Sequence, residues 1–381
     1  MRRQWHVDAE NDPYKIQKKP LSHGFSNKSI AASQDILTMY QTRMVQKIKE
    51  HIMITKGPVD ISCFISNALL DITTMLTVNR DHNGTESRDR LHPVLATLNS
   101  SMAFLWVFLQ FQRLPKPIVW SVQKIISALL GHFKFFERNN LSYHLVRDRL
   151  EQGSSRPDYV TYLMQSPEHA KGIQVDSLFP KAVFLILAGT ETTATALCGI
   201  IYNMLANPAK LERAAHEVRT TFESSSDIKI ESTRTLEYLV ACMKESQRMY
   251  ASTPGTLPRR VPREGAIICG RHVPGDTVVG IPHFAAFRSN DNFRHPDEFI
   301  PERWQEEESS DKHDAFHPFS FGPRICIGKE LALSNMRQIM AHLLWEFDLE
   351  LAPEAKDWDK QKTGLFPFRG PLYVNIKSRD M

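Results

Sequence analysis

"HPFSFGPRICIGKELAL", His317 to Leu333, places a single cysteine, Cys326, between an isoleucine pair just after an arginine and just before a glycine, where a turn-rich stretch becomes a helix. Gly322 and Pro323 make a tight turn, and Gly328 removes a side chain where the next helix begins. Backbone N–H groups at that helix start are expected to point at the sulfur and, with Arg324 nearby, to favour the thiolate. A zinc site needs three or four ligands, and none are spaced for it. "GPRICIGKE" departs from a phosphate loop: five residues, not four, separate Gly322 from Gly328, and Glu330 stands where Ser or Thr is required. Cys198, Cys242 and Cys269 lack this surrounding and read as structural thiols.

A thiolate with bare backbone around it can be approached by a large flat ligand such as haem, whose iron needs one axial group from the protein. Phe319, Gly322, Arg324, Cys326 and Gly328 resemble, in order and spacing, the haem-binding signature of the cytochrome P450 monooxygenases. The resemblance implies haem b as cofactor, Cys326 as its proximal iron ligand and Arg324 as a partner of a haem propionate.

Working outward, "AGTETT", Ala188 to Thr193, lies in the middle of a helix expected from Ser177 to Leu205, with Pro180 in its first turn and Asn207-Pro208 as its stop. Three threonines are poor helix-interior residues, and a hydroxyl bonded back to a carbonyl loosens the ladder. Two readings stand: a locally opened groove, or close packing on a neighbour through small residues. The segment is similar to the family's oxygen-activating motif, which implies proton relay by Glu191 and Thr192. "ESQR" sets Glu245 and Arg248 three apart, an ordinary surface pair taken alone. By resemblance they join Arg303 of "PERW" in a lock around the thiolate loop. Arg259 in "LPRRVP" matches a second propionate-binding arginine, with Arg260 as the alternative. "YKIQKKPLSHGFS" resembles the helix that carries a further propionate contact, placing Tyr14 and Lys18 there; Pro20 argues for a break.

The 381 residues, 42% hydrophobic with net charge +4, describe a globular chain and give no case for nucleic-acid binding. Five scattered cysteines without CxxC spacing suggest a reducing compartment. No run of 18 or more apolar residues is found, so nothing is expected to span a bilayer. "DILTMYQTRMVQKIKEHI" and later segments have helical spacing, as do Pro208 to Phe222 and "TLEYLVACMKESQRMY". The stretch between Pro254 and Gly280 reads as short strands and hairpins. After the cysteine, Leu333, Met336, Met340, Leu343 and Phe347 fall on one helical face. "MAFLWVFLQF", from Met102, runs into a basic, proline-rich turn and reads as a buried helix end or as a loop at a membrane surface or substrate entrance.

The expected fold is mainly α with a minor β region: a single cytochrome P450 domain over 1–381, N-terminally shortened relative to the family. The implied function is insertion of one oxygen atom from dioxygen into a small, mostly apolar molecule, of fungal secondary-metabolite type resembling trichothecene-pathway hydroxylases. Electrons would come from an NADPH-cytochrome P450 reductase, with Lys18, Lys19, Lys329 and Arg337 as a candidate basic docking face. The place of work would be the cytosolic face of the endoplasmic reticulum if anchored, or cytoplasm and peripheral membrane contact otherwise. The alternative is a haem-binding but catalytically silent remnant acting through protein contacts.

Overall fold

The computed structural model describes residues 13–87, 89–97, 141–165, 175–306, 309–364 and 366–379. The apolar stretch from Met102 and the turn after it lie outside these residues. The described chain is mainly helical with short strands, as expected. Two long helices form its centre, α4 (Ile61–Val78) and α7 (Val175–Leu205). Asp60 caps α4 by accepting from the Ser62 N–H at 3.0 Å, and Asn79 ends it in a left-handed conformation (φ 49°). Ahead of it run α1 (Pro13–Gly24), α2 (Asn27–Ala31) and α3 (Gln34–Ile54); α5 (Leu141–Gln152) and α6 (Tyr159–Met164) precede α7.

α7 runs unbroken for 31 residues. It packs on α4 because small residues let the backbones approach: a Cβ on Gly189 would meet Thr73 Cγ2 at 2.7 Å. Gly199 does the same for Tyr250, whose ring carbon stands 2.5 Å from the position of such a Cβ. α4 and α7 are both long and apolar enough, by length and composition, to cross a membrane, although neither is an uninterrupted apolar run. The most apolar 18-residue stretch of each is largely buried in the protein, 94% in α4 and 67% in α7.

α8 (Pro208–Thr221) and α9 (Glu237–Met249) follow as the sequence pattern predicts. The strand region is β2 (Arg259–Arg260) paired with β5 (Val278–Val279), and the hairpin β3 (Ala266–Ile268) with β4 (Arg271–Val273). After α10 (His283–Phe287) and the cysteine loop comes α11 (Lys329–Glu346). Phe347, read from spacing as part of that helix, instead opens β6 (Phe347–Leu351), which pairs antiparallel with β7 (Tyr373–Ser378). β7 also pairs with β1 (Val59–Asp60) through Val59 and Val374.

α11 is buried on nearly every side, its polar Ser334, Asn335, Gln338 and His342 included. Arg337 is buried with them, so it does not belong to a basic docking face; Lys19 is exposed and Lys329 half-buried. Pro20 does not break α1, which continues to Gly24. The packing of Leu21 into the smaller core and of Gly24 against the Tyr162 ring outweighs one missing N–H.

Candidate active site

The cysteine loop is held from both sides by apolar packing. Phe319 packs on the larger core, while Ile327 and Leu331 pack on the smaller core with Phe25 and Tyr159. Between these anchors the Cys326 N–H donates to the Phe319 carbonyl at 2.9 Å, and the Ile325 N–H to the Gly322 carbonyl at 3.0 Å. Gly322 has a left-handed backbone (φ 69°) with open space where a Cβ would stand, so its identity is required by conformation and not by crowding.

The Cys326 side chain is open to solvent on one side and crowded by protein on the others. That crowding pushes the thiol above its ordinary range, against the opposing pull of the Gly328 N–H and the Lys18 charge. The helix-start N–H therefore acts as the sequence suggests, but the cation near the sulfur is Lys18, and the free thiol is not lowered overall. Arg324 lies half-buried in the turn Gly322–Arg324.

Lys18, the residue expected at a propionate, lies against the cysteine loop. Its Nζ donates to the carbonyls of Pro323 at 2.9 Å and Ile325 at 3.3 Å, tying α1 to the loop. Arg259 reaches the loop from β2, donating to Ser320 Oγ at 3.3 Å. Arg260 turns away and pairs with Asp276 at 3.5 Å, so Arg259 is the arginine of the two that faces the loop.

Behind the loop stands a buried charge network. Glu245 Oε1 accepts from Arg248 Nη2 at 2.8 Å and Arg303 Nε at 3.1 Å, and Oε2 accepts from the Trp304 indole at 2.9 Å. Glu245, Arg248 and Arg303 have fully buried side chains. Arg248 also donates to the carbonyls of Phe287, Pro296 and Glu298. Asp311 pairs with the second edge of Arg303, a partner that sequence spacing gave no signal for. Every charge in this group meets an opposite charge or a carbonyl, the condition under which burial is tolerated.

On α7 the residues of "AGTETT" divide between two faces. Thr192 Oγ1 donates to the Ala188 carbonyl at 2.6 Å, and Thr190 Oγ1 to that of Ile186 at 2.7 Å, as back-bonding predicts. α7 is continuous through this stretch, and Gly189 and Thr190 pack closely on α4, the Thr190 hydroxyl lying 2.8 Å from that of Thr73. Phe184, Ala188 and Thr192 share the open side by their spacing of four. Phe184, two turns before the threonine on that side, is 68% exposed.

Glu191 is turned to the buried side. Arg369 grips it with two parallel contacts, Nε to Oε1 and Nη2 to Oε2, each 3.2 Å. A lone arginine in "FPFRG" carries no sequence signal, and only the fold brings it to α7. Among the described residues no group of three or more His, Cys, Asp or Glu could hold a metal ion, so Cys326 stands as a single-ligand donor.

The residues present fit a haem. A Cβ on Gly328 would stand 4.0 Å from Cys326 Sγ and 3.8 Å from Phe25, ordinary contacts that the protein would accept. What glycine keeps clear there is the space beside the sulfur, next to one accessible thiol and a loop-facing arginine.

The cytochrome P450 family model matches residues 8–374. The chain belongs to the cytochrome P450 family. It is 34% identical over 367 residues to the cytochrome P450 monooxygenase astA of Talaromyces wortmannii, covering 95% of this chain and 73% of that one. The cytochrome P450 monooxygenase aclL of Aspergillus oryzae is 33% identical, with 96% of this chain and 74% of that protein covered. The cytochrome P450 monooxygenase atr2 of Stereocaulon alpinum is 33% identical, with 97% and 73% covered. The crystal structure of a cytochrome P450DA mutant haem domain superposes with a TM-score of 0.80 at 19% identity, over 98% of this chain and 79% of that one. The P450 fold and the haem-thiolate chemistry of this family are thereby those of this chain.

Proposed function

We propose that this P450 hydroxylates or epoxidises a small, mostly apolar terpenoid or polyketide intermediate, with Cys326 as the iron's axial ligand. The reading rests on one observation above all: an accessible Cys326 thiol on a loop anchored in two cores, with the Gly328 N–H directed to the sulfur and no side chain beside it. The fungal cytochrome P450 monooxygenases it resembles support a haem monooxygenase in general.

Haem, when bound, supplies dioxygen activation and transfer of one oxygen atom, using two electrons from an NADPH-dependent reductase. Cys326 would lose its proton on coordination, since a metal-bound thiol is deprotonated outright. The Gly328 N–H and Lys18 hold the sulfur and its loop in place, as outer contacts of a metal ligand do. Arg259 and Arg324 are the arginines for the propionates; Phe319 and Gly322 fix the loop that presents them. Thr192 Oγ1 holds a proton on the open side of α7, and Glu191 is the acid that replenishes it. Phe184 offers an apolar wall to the substrate. Lys19 and Lys329 remain for an acidic reductase, and the working place is the cytosolic surface of the endoplasmic reticulum.

The test is to supply the haem-loaded chain with reductase, NADPH and a panel of apolar terpenoids and polyketides. A product one oxygen heavier, formed only with NADPH and lost in Cys326→Ser, supports the reading. Haem-loaded protein that neither consumes NADPH nor shifts its spectrum with any compound would favour the silent remnant.

A further inference from the structure

Asp71 of α4 is completely buried and holds the loop that follows the helix. Its Oδ1 accepts from the Gly84 N–H at 2.6 Å and its Oδ2 from the Thr85 N–H at 2.8 Å. The loop comes so close that a Cβ on Gly84 would stand 2.8 Å from the Asn67 carbonyl oxygen and 3.0 Å from Asp71 Oδ1. Burial, offset in part by the two N–H bonds, pushes the Asp71 carboxyl up to about 6. Beside it are buried hydroxyls without a hydrogen-bond partner: Tyr40 of α3, Thr85 on the loop and Thr74, three residues along α4. Thr85 Oγ1 faces the Asp71 carboxylate without completing a bond to it. The Tyr40 hydroxyl faces Asp81 in the same incomplete way, and burial with the Asp81 and Asp71 charges raises it above its ordinary range.

We propose that Asp71, Tyr40, Thr74 and Thr85 form a binding site for a monovalent cation, sodium or potassium, seated between α3, α4 and the loop from Asn79 to Ser87. Each Asp71 oxygen keeps a lone pair beyond the one given to an N–H, and each hydroxyl offers its own. The result is an all-oxygen set of the kind that hard cations take. It is not a cluster of His, Cys, Asp and Glu, and soft or transition metals have no nitrogen or sulfur donor in it. Bound there, the ion ties the loop to both helices where the chain leaves α4, and gives the buried hydroxyls the partner that buried polar groups require.

The charges around the site leave one negative charge unbalanced, which sets the valence of the ion. Asp81 is matched by Arg43 of α3 at 3.4 Å, and its other oxygen accepts from the Asn83 N–H at 2.7 Å. Lys47 of α3 is taken by Glu86 at 2.8 Å and Glu50 at 3.5 Å. Arg80 turns to the carbonyls of Asn79, Asp148 and Gly153. The two imidazoles on the loop side, His82 and His92, have ring centroids 5.5 Å apart. Burial lowers the pKa of both, His82 to about 4, so neither supplies a positive charge at neutral pH. Among the described residues no cation pairs with Asp71 itself. A buried carboxylate in that position is stable as an anion only with a counter-charge beside it.

The experiment uses the haem-loaded full chain as wild type, Asp71→Asn and Tyr40→Phe. Thermal midpoints are measured in sodium, potassium and choline chloride at one ionic strength, and sodium NMR linewidths are recorded with potassium as competitor. Wild type should melt higher in sodium or potassium than in choline, because a ligand of the folded state alone stabilises it. It should also broaden the sodium line, and potassium should reverse the broadening; the salt giving the larger rise names the ion. Asp71→Asn should lose both effects. Tyr40→Phe removes one hydroxyl while keeping the ring in its place, and should bind the ion severalfold more weakly. If Asp71→Asn does not take up haem, Tyr40→Phe carries the test. Equal wild-type midpoints in the three salts with no sodium broadening would overturn the proposal and leave water as the partner of these hydroxyls. An ion response of wild-type size in both variants would overturn it as well.

Discussion

Lys18 Nζ donates to the carbonyl of Pro323 across 2.9 Å, joining the first described helix to the cysteine loop over 305 positions of sequence. A second bond to the Ile325 carbonyl makes this lysine a brace on either side of Arg324.

Lys18→Met should therefore loosen the loop more than it destabilises the protein. The loss of two partly exposed charge-assisted bonds costs about 1 kcal/mol. The expected readout is a faster conversion of the carbon monoxide complex from its thiolate to its non-thiolate form on warming, at little change in helix content. Equal conversion rates in variant and wild type would contradict the brace.

Arg259 and Arg260 are neighbours in sequence with different tasks. Arg259→Leu should lower haem retention on dilution or gel filtration, because Arg259 is the one that reaches Ser320 in the loop. Arg260→Leu removes an exposed pair with Asp276, worth about 0–1 kcal/mol, and should leave haem content as it is. Haem loss in the second variant and not the first would reverse the assignment.

Gly189→Ala drives a methyl into Thr73 Cγ2, which stands 2.7 Å from where that Cβ must go. Overpacking of this kind costs about 1–3 kcal/mol. Adding Thr73→Ser removes the obstructing methyl while keeping the hydroxyl that faces Thr190, and should restore most of the thermal midpoint. Absence of rescue would mean that α4 and α7 are not in contact here.

His342 of α11 is buried, with its Nε2 atom unpartnered, and burial lowers its pKa from 6.5 to about 4. His82 is lowered likewise to about 4, by burial and by the nearby His92. The unfolded chain takes up these protons at a higher pH than the folded one. Stability is thus full above 6.5 and falls as the pH drops toward 4. His342→Leu should flatten part of that fall, measured as thermal midpoint against pH, and leave the share due to His82.

The parts of this fold legible in the sequence are those set by short-range spacing. The cysteine loop, the helix α7 with its stop at Asn207-Pro208, and the hairpins between Pro254 and Gly280 all depend on turn residues or helical periodicity a few positions apart. Arg369 and Asp311 give no signal because they lie in irregular segments without a pattern, 178 and 8 residues from their partners Glu191 and Arg303. β1 is two residues long and is a strand only because β7 lies beside it. Arg337 was misread as a surface charge because α11 is buried on almost all faces, so its polar positions do not mark an outer side. Pro20 was misread because helix propensity is local, whereas Leu21 and Gly24 are fixed by distant packing.

The central claim is that Cys326 binds haem iron as a thiolate on this chain. It is tested most directly by reducing the haem-loaded protein, adding carbon monoxide and recording the difference spectrum for wild type and Cys326→Ser. The account predicts the red-shifted Soret band of a thiolate-ligated complex in wild type and its loss in the variant. A wild-type spectrum without that band, or one that survives Cys326→Ser, would contradict it.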